Sequence, residues 1–144
     1  MEIEGRIRRH AKGGPPDWIV SVPLLDVQTQ GYSRQEALKM LKGAIKDYLD
    51  YFFGKKRVTI SIIDDGRSKI GVTCSDQPLL MSLILIKQRE KAGISVRAVV
   101  RRMGKTSPNA YKQYEYGSKR MSIDKFGELV YAVNPRIRLV VGMV

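Results

Sequence analysis

The chain has 144 residues, 26 Lys+Arg against 14 Asp+Glu, and a formal net charge of +12. That length admits one domain or two small ones, and the charge favours a polyanionic partner. A single cysteine excludes an intramolecular disulfide framework, and the apolar run from Pro78 to Ile86 is far too short to span a bilayer.

Glu2 to Arg9 alternates, with Ile3, Gly5 and Ile7 on one side and charged residues on the other, which predicts an amphipathic strand. The charged stretch from Met1 to Lys12 does not resemble a signal peptide, so a cytoplasmic location is expected. Gly13-Gly14-Pro15-Pro16-Asp17 predicts a turn. Trp18, Val20 and Val22 then line one face of a second strand ending at Pro23, and Val27 to Gln30 gives a short third strand before Gly31. Ser33 with Glu36 three residues on predicts a capping box opening a helix. Its expected buried stripe is Leu38, Leu41, Ile45, Tyr48 and Phe52, closed by Gly54-Lys55-Lys56. Val58 to Ile63 and Lys69 to Cys74 read as strands joined through Asp64-Asp65-Gly66, a hairpin signal. This order implies an α+β unit, one helix laid across an antiparallel sheet. Cys74 alternates with Ile70 and Val72, so it reads as a small buried residue rather than a nucleophile.

Ser75-Asp76-Gln77-Pro78 is the natural linker, although Leu79 to Ile86 can extend the packing across it. The division expected is an α+β domain over 1–77 and an all-α domain over 78–144. In the second half Val96, Val99, Val100 and Met103 share one helical face, with Arg97, Arg101 and Arg102 largely off it and available to phosphates. Ser107-Pro108 predicts an N-cap and a first helical position, and Gly117 ends that helix. Ser122 caps a third helix carrying Phe126, Leu129, Val130 and Val133, stopped by Asn134-Pro135. Short helices with tight breaks suit a helix-turn-helix presented to a DNA major groove. Residues 1–80 carry 13 Lys+Arg and 10 Asp+Glu, a net of +3, whereas 81–144 carry 13 and 4, a net of +9. Such asymmetry is the footprint of a nucleic-acid-binding half joined to something else. The tail Arg136 to Val144 reads either as part of a dimer contact or as core.

Two family resemblances rest on these residues. The segment Ser95 to Pro135 resembles the helix-turn-helix of phage-repressor-type (XRE/Cro-like) regulators, with Tyr111 and Tyr114 at two buried positions and Glu115-Tyr116-Gly117 as the acidic-x-Gly ending. That resemblance implies base-reading by Asn109 and Gln113, whose amides suit adenine. Ser107, Lys112, Lys119 and Arg120 would hold phosphates, joined by Arg97 and Arg101. The first half resembles the HicB family of antitoxins through Asp17-Trp18-Ile19-Val20-Ser21-Val22-Pro23, Thr29-Gln30-Gly31 and the helix beginning Ser33-Arg34-Gln35-Glu36-Ala37-Leu38. It implies a partial ribonuclease-H-like domain that covers a small HicA-type RNase toxin, while the other half represses the operon from its operator DNA. A homodimer or tetramer is expected, because one small DNA-binding unit seldom supplies enough specific affinity. Asp17 and Trp18 are the toxin-facing candidates, with a core anchor as the plainer role for Trp18.

The alternative is a helix-turn-helix regulator whose first half senses or oligomerises and has no toxin. A nuclease would need carboxylates gathered around metal ions. Asp64 and Asp65 sit in a hairpin turn, Asp47 and Asp50 on an exposed helix side, and Glu36 in a cap, so no catalytic or metal constellation is expected. His10 is a lone histidine at a strand end, read as a surface turn residue. No cofactor and no membrane partner is expected.

Overall fold

The computed structural model describes residues 1–142; Met143 and Val144, the end of the apolar tail, lie outside them. Among the described residues five strands run as β1 (Ile3–Arg9), β2 (Trp18–Val22), β3 (Val27–Gly31), β4 (Ile60–Asp64) and β5 (Lys69–Cys74), with α1 (Arg34–Phe53) between β3 and β4. A single 3-10 turn, Pro23–Leu25, separates β2 from β3. Four helices follow: α2 (Gln77–Ala92), α3 (Val96–Arg102), α4 (Asn109–Glu115) and α5 (Ile123–Val133). The chain is α+β, with one antiparallel sheet in the order β3-β2-β1-β5-β4.

Alternation puts Ile3, Ile7, Val20, Val22, Val27, Ile70, Val72 and Cys74 on the covered face of the sheet. Because β3 and β4 occupy opposite edges, α1 must cross that face between them. Ser33 caps α1 by accepting from the Glu36 N–H at 3.1 Å. The Glu36 carboxylate closes the cap one residue further back than expected, accepting from Tyr32 N–H at 2.9 Å. The buried stripe of α1 is also displaced from the expected one. Ala37, Leu41, Ile45 and Leu49 are buried, whereas Leu38, Tyr48 and Phe52 only flank the core.

The cause lies in β3. Thr29 Oγ1 donates to the Ala37 carbonyl at 3.1 Å. A Cβ on Gly31 would sit 2.5 Å from the Ala37 backbone nitrogen, so glycine allows strand and helix to touch. The Thr-x-Gly segment therefore grips the first turn of α1 and turns its small Ala37 inward. In the β4–β5 connection, Gly66 has φ +82, and the carboxylates of Asp64 and Asp65 accept from Gly66 N–H and Arg67 N–H.

The residues expected to link two halves instead begin a helix. Asp76 caps α2 by accepting from Leu79 N–H at 3.1 Å, with Gln77-Pro78 in its first turn. From Leu79 to Ile86 every residue of α2 is buried, including Ser82, as a helix apolar on all sides requires. One side of α2 packs on α1, β5 and the 3-10 turn, the other on α4 and α5. Gln88, also buried, donates to the carbonyls of Pro23 and Leu24 at 3.0 and 2.8 Å. A single hydrophobic cluster therefore runs from the sheet through α2 into the last three helices. Among the described residues no helix is long and apolar enough to cross a membrane.

Candidate nucleic-acid interface

Ser95 caps α3 through Ala98 N–H at 3.1 Å, and Val99 and Val100 are buried while Val96 and Met103 pack at the edge of the core. Gly104, with φ +69, ends the helix in the left-handed conformation. The next helix starts later than the Ser107-Pro108 pair implies. The Ser107 hydroxyl makes no cap bond; its carbonyl accepts from Ala110 N–H, and regular α4 runs from Asn109. Gly117, at φ +70, follows α4 and packs so closely that an added Cβ would lie 2.7 Å from Leu79.

Tyr111, Tyr114 and Glu115 form the buried side of this short helix. At about 100° per residue, Asn109 and Gln113 fall on the opposite side, and both are exposed. Lys112 is half-buried at the flank, while Ser107, Lys119 and Arg120 are exposed, as are Arg97 and Arg101 on α3. The Lys119 ammonium lies 5.3 Å from the Tyr114 ring centroid, an attraction that holds it against the helix. Arg102 departs from expectation. It is exposed, but its guanidinium also donates through Nη1 to the carbonyls of Ala132 and Val133 at 3.1 and 3.4 Å, tying it to the end of α5.

Residues 95–121 contain seven cations, Arg97, Arg101, Arg102, Lys105, Lys112, Lys119 and Arg120, and one acid, Glu115. That acid is turned inward. Arg89 of α2 grips it with two bonds, Nε to Oε1 at 2.5 Å and Nη2 to Oε2 at 3.1 Å, and donates a third to the Ile94 carbonyl. The Glu115 carboxylate strengthens the hold of Arg89 on its proton, so the guanidinium stays charged. The surface around the two amides is consequently positive without an opposing carboxylate from its own segment. Ser82 completes the anchorage, its hydroxyl donating to the Tyr114 carbonyl at 2.5 Å. Neither Arg89 nor Ser82 stands out by spacing; a lone serine inside an apolar run was the available signal.

Among the described residues the buried Tyr111 hydroxyl makes no hydrogen bond of good geometry, although the side chains of Glu115 and Arg89 lie beside it. Burial, with the Glu115 charge nearby, pushes its ionisation far above the ordinary phenol range, so it stays neutral. Tyr111→Phe is therefore expected to leave stability unchanged or raise it by up to about 1 kcal/mol, because an unpaired buried hydroxyl is a cost. Thermal melting checks this; a clear drop in Tm would reveal a bond to the hydroxyl.

At the other end of the molecule, Asp17 lines an open depression with Arg9, His10 and Gly13. Trp18 is half-buried, its ring approached by the guanidinium carbons of Arg9 at 5.2 Å and Arg34 at 5.7 Å. Arg34 also forks onto Asp64, which lowers the pKa of that carboxyl. His10 is exposed, and its Nδ1 accepts from Lys12 N–H at 3.4 Å. The other carboxylates are dispersed: Asp50 pairs with Lys46, Asp26 with Lys91, and Asp76 serves its cap. Among the described residues no group of three or more His, Cys, Asp or Glu side chains is placed to hold a metal ion. Cys74 is buried in β5, where desolvation raises its thiol pKa. In the tail Ile137 packs on the core while Leu139, Val140 and Val141 are exposed.

Comparison of the sequence with profiles of known protein families and with characterised proteins finds no match.

Proposed function

We propose that the chain is an antitoxin and autorepressor, in which α3 and α4 form a helix-turn-helix that reads operator DNA. The α+β half, taken as a partial ribonuclease-H-like domain, sequesters a HicA-type RNase toxin by direct contact. The observation that carries the DNA reading is the outward pair Asn109 and Gln113 on a helix whose only acid is neutralised inside. Amides in that position bond bidentately to an adenine edge, while Lys119, Arg120, Arg97 and Arg101 fix the register on phosphates. Shape supports the same reading, since Ser82 and Arg89 hold α4 at fixed depth on a buried shaft. Two copies would place their reading helices on half-sites about 34 Å apart, one turn of duplex. The toxin-binding role rests on the HicB resemblance, with Asp17 and Trp18 as its contact candidates.

Two measurements test the proposal. Affinity for the DNA upstream of its own gene, titrated against salt, should fall in slope by about one for Lys119→Ala and again for Arg120→Ala. A slope equal to that of the unaltered chain removes these residues from the phosphate track. Purification from the native host should bring along a small basic protein that cleaves RNA when freed. Recovery of operator DNA with no such protein would leave a regulator whose first half senses or oligomerises.

A further inference from the structure

The excess charge of the first half has a specific address. Residues 1–80 hold 13 cations and 10 acids; without Lys55, Lys56 and Arg57 the count is 10 and 10. Those three consecutive residues are all exposed, in the loop between α1 and β4. Their position relative to α4 is set by contacts on both sides. Phe53, two residues before Lys55, lies against Gly117, since a Cβ there would be 3.7 Å from its ring. On the far side of the loop, Thr59 N–H donates to Ser75 Oγ, and Ser75 N–H donates to the Thr59 carbonyl, both at 2.9 Å. Ser75 adjoins the start of α2, whose Leu79 also touches Gly117. The loop is therefore fastened beside the end of α4 by two routes.

Its backbone is also held. The Lys56 carbonyl accepts from Val58 N–H at 3.0 Å and from Lys46 Nζ at 3.2 Å, and Lys46 is itself paired with Asp50. The three side chains thus project from an ordered segment. Chain reach of about 3.5 Å per residue keeps the Lys55 backbone within about 7 Å of that of Phe53, and the Lys119 backbone within about 7 Å of that of Gly117. Five exposed cations, Lys55, Lys56, Arg57, Lys119 and Arg120, therefore lie within four residues along the chain of Phe53 or Gly117, where the sheet-based half meets the end of α4.

We infer that Lys55, Lys56 and Arg57 contact the phosphates of the same duplex that α4 enters, extending its footprint beyond the helical half. This rests on the DNA-binding reading above and adds to it a contribution from the α+β half. Such contacts carry no sequence information, so they should strengthen binding to any duplex and steepen its salt dependence.

The test compares the full chain, the triple variant Lys55→Ala/Lys56→Ala/Arg57→Ala, and Arg8→Ala/Lys12→Ala/Lys39→Ala, which removes the same charge at exposed positions elsewhere. Fluorescence anisotropy would follow binding to the duplex upstream of the gene and to a random duplex of equal length, over a range of salt. Each lost phosphate contact lowers the slope of log affinity against log salt by about 0.9, so the first triple should lose about two to three. The second triple should retain the slope of the unaltered chain. Because Lys46 holds the loop through a backbone carbonyl, side-chain truncation keeps its path, which an unchanged melting curve verifies. A slope equal to that of the unaltered chain, or equal losses in both triples, overturns this inference alone. Failure of the unaltered chain to bind duplex DNA overturns it together with the reading it rests on.

Discussion

Replacing Glu115 with alanine is expected to destabilise the protein by about 2–4 kcal/mol, because it leaves the Arg89 guanidinium charged and largely enclosed without a counter-charge. The Glu115 side chain is 7% exposed and that of Arg89 20%, so water cannot fully replace the lost carboxylate. The effect should exceed that of any surface pair here; Arg67–Asp65, for comparison, has side chains 84% and 57% exposed. Chemical denaturation measures it. A decisive companion is Arg89→Met/Glu115→Leu, which removes both charges and should recover most of the loss. If the single variant melts with the unaltered protein, the pair is not what fixes α4. The same single variant should also weaken DNA binding, since the helix loses its two-pronged tie to α2 while Ser82 retains one.

Loss of the two exposed amides should leave the fold untouched and remove discrimination. Asn109→Ala and Gln113→Ala are each expected to cost about 1–3 kcal/mol of affinity for the operator, roughly 5- to 150-fold in Kd. Affinity for a random duplex should hardly move, because phosphate contacts persist. The ratio of the two affinities is the quantity to measure, at one stated salt concentration. An unaltered ratio in both variants would mean that α4 does not face base edges.

Features set by neighbours along the chain were legible in the sequence. The caps at Ser33 and Ser122 form where expected, and the four apolar residues that the spacing of α5 singles out, Phe126, Leu129, Val130 and Val133, are all buried, joined by Ala132. Outward placement of Asn109 and Gln113 follows from the burial of Tyr111 and Tyr114, since a helix cannot turn both sets the same way. What escaped was set by partners distant in sequence. Arg102 has ordinary basic-helix spacing, yet carbonyls some 30 residues on claim it. The inward turn of Ala37 depends on Gly31 and Thr29, whose pattern resembles a turn until strand and helix are placed together. Ser75 to Pro78 has linker composition because a helix start and a linker use the same residues; the buried run after it decides which forms.

That central helix has a consequence for how the protein comes apart. Severing the chain between residues 77 and 78 would strip the sheet of α2, exposing Leu25, Cys74 and the inner side of α1, and would leave the carbonyls of Pro23 and Leu24 without their Gln88 donor. The amino-terminal piece that keeps its own covering extends to Ala92, and the helices beyond it then lose the surface on which Tyr114 and Glu115 rest. Neither portion can be cut free without taking something from the other, so heat or denaturant should dismantle the two together in one transition.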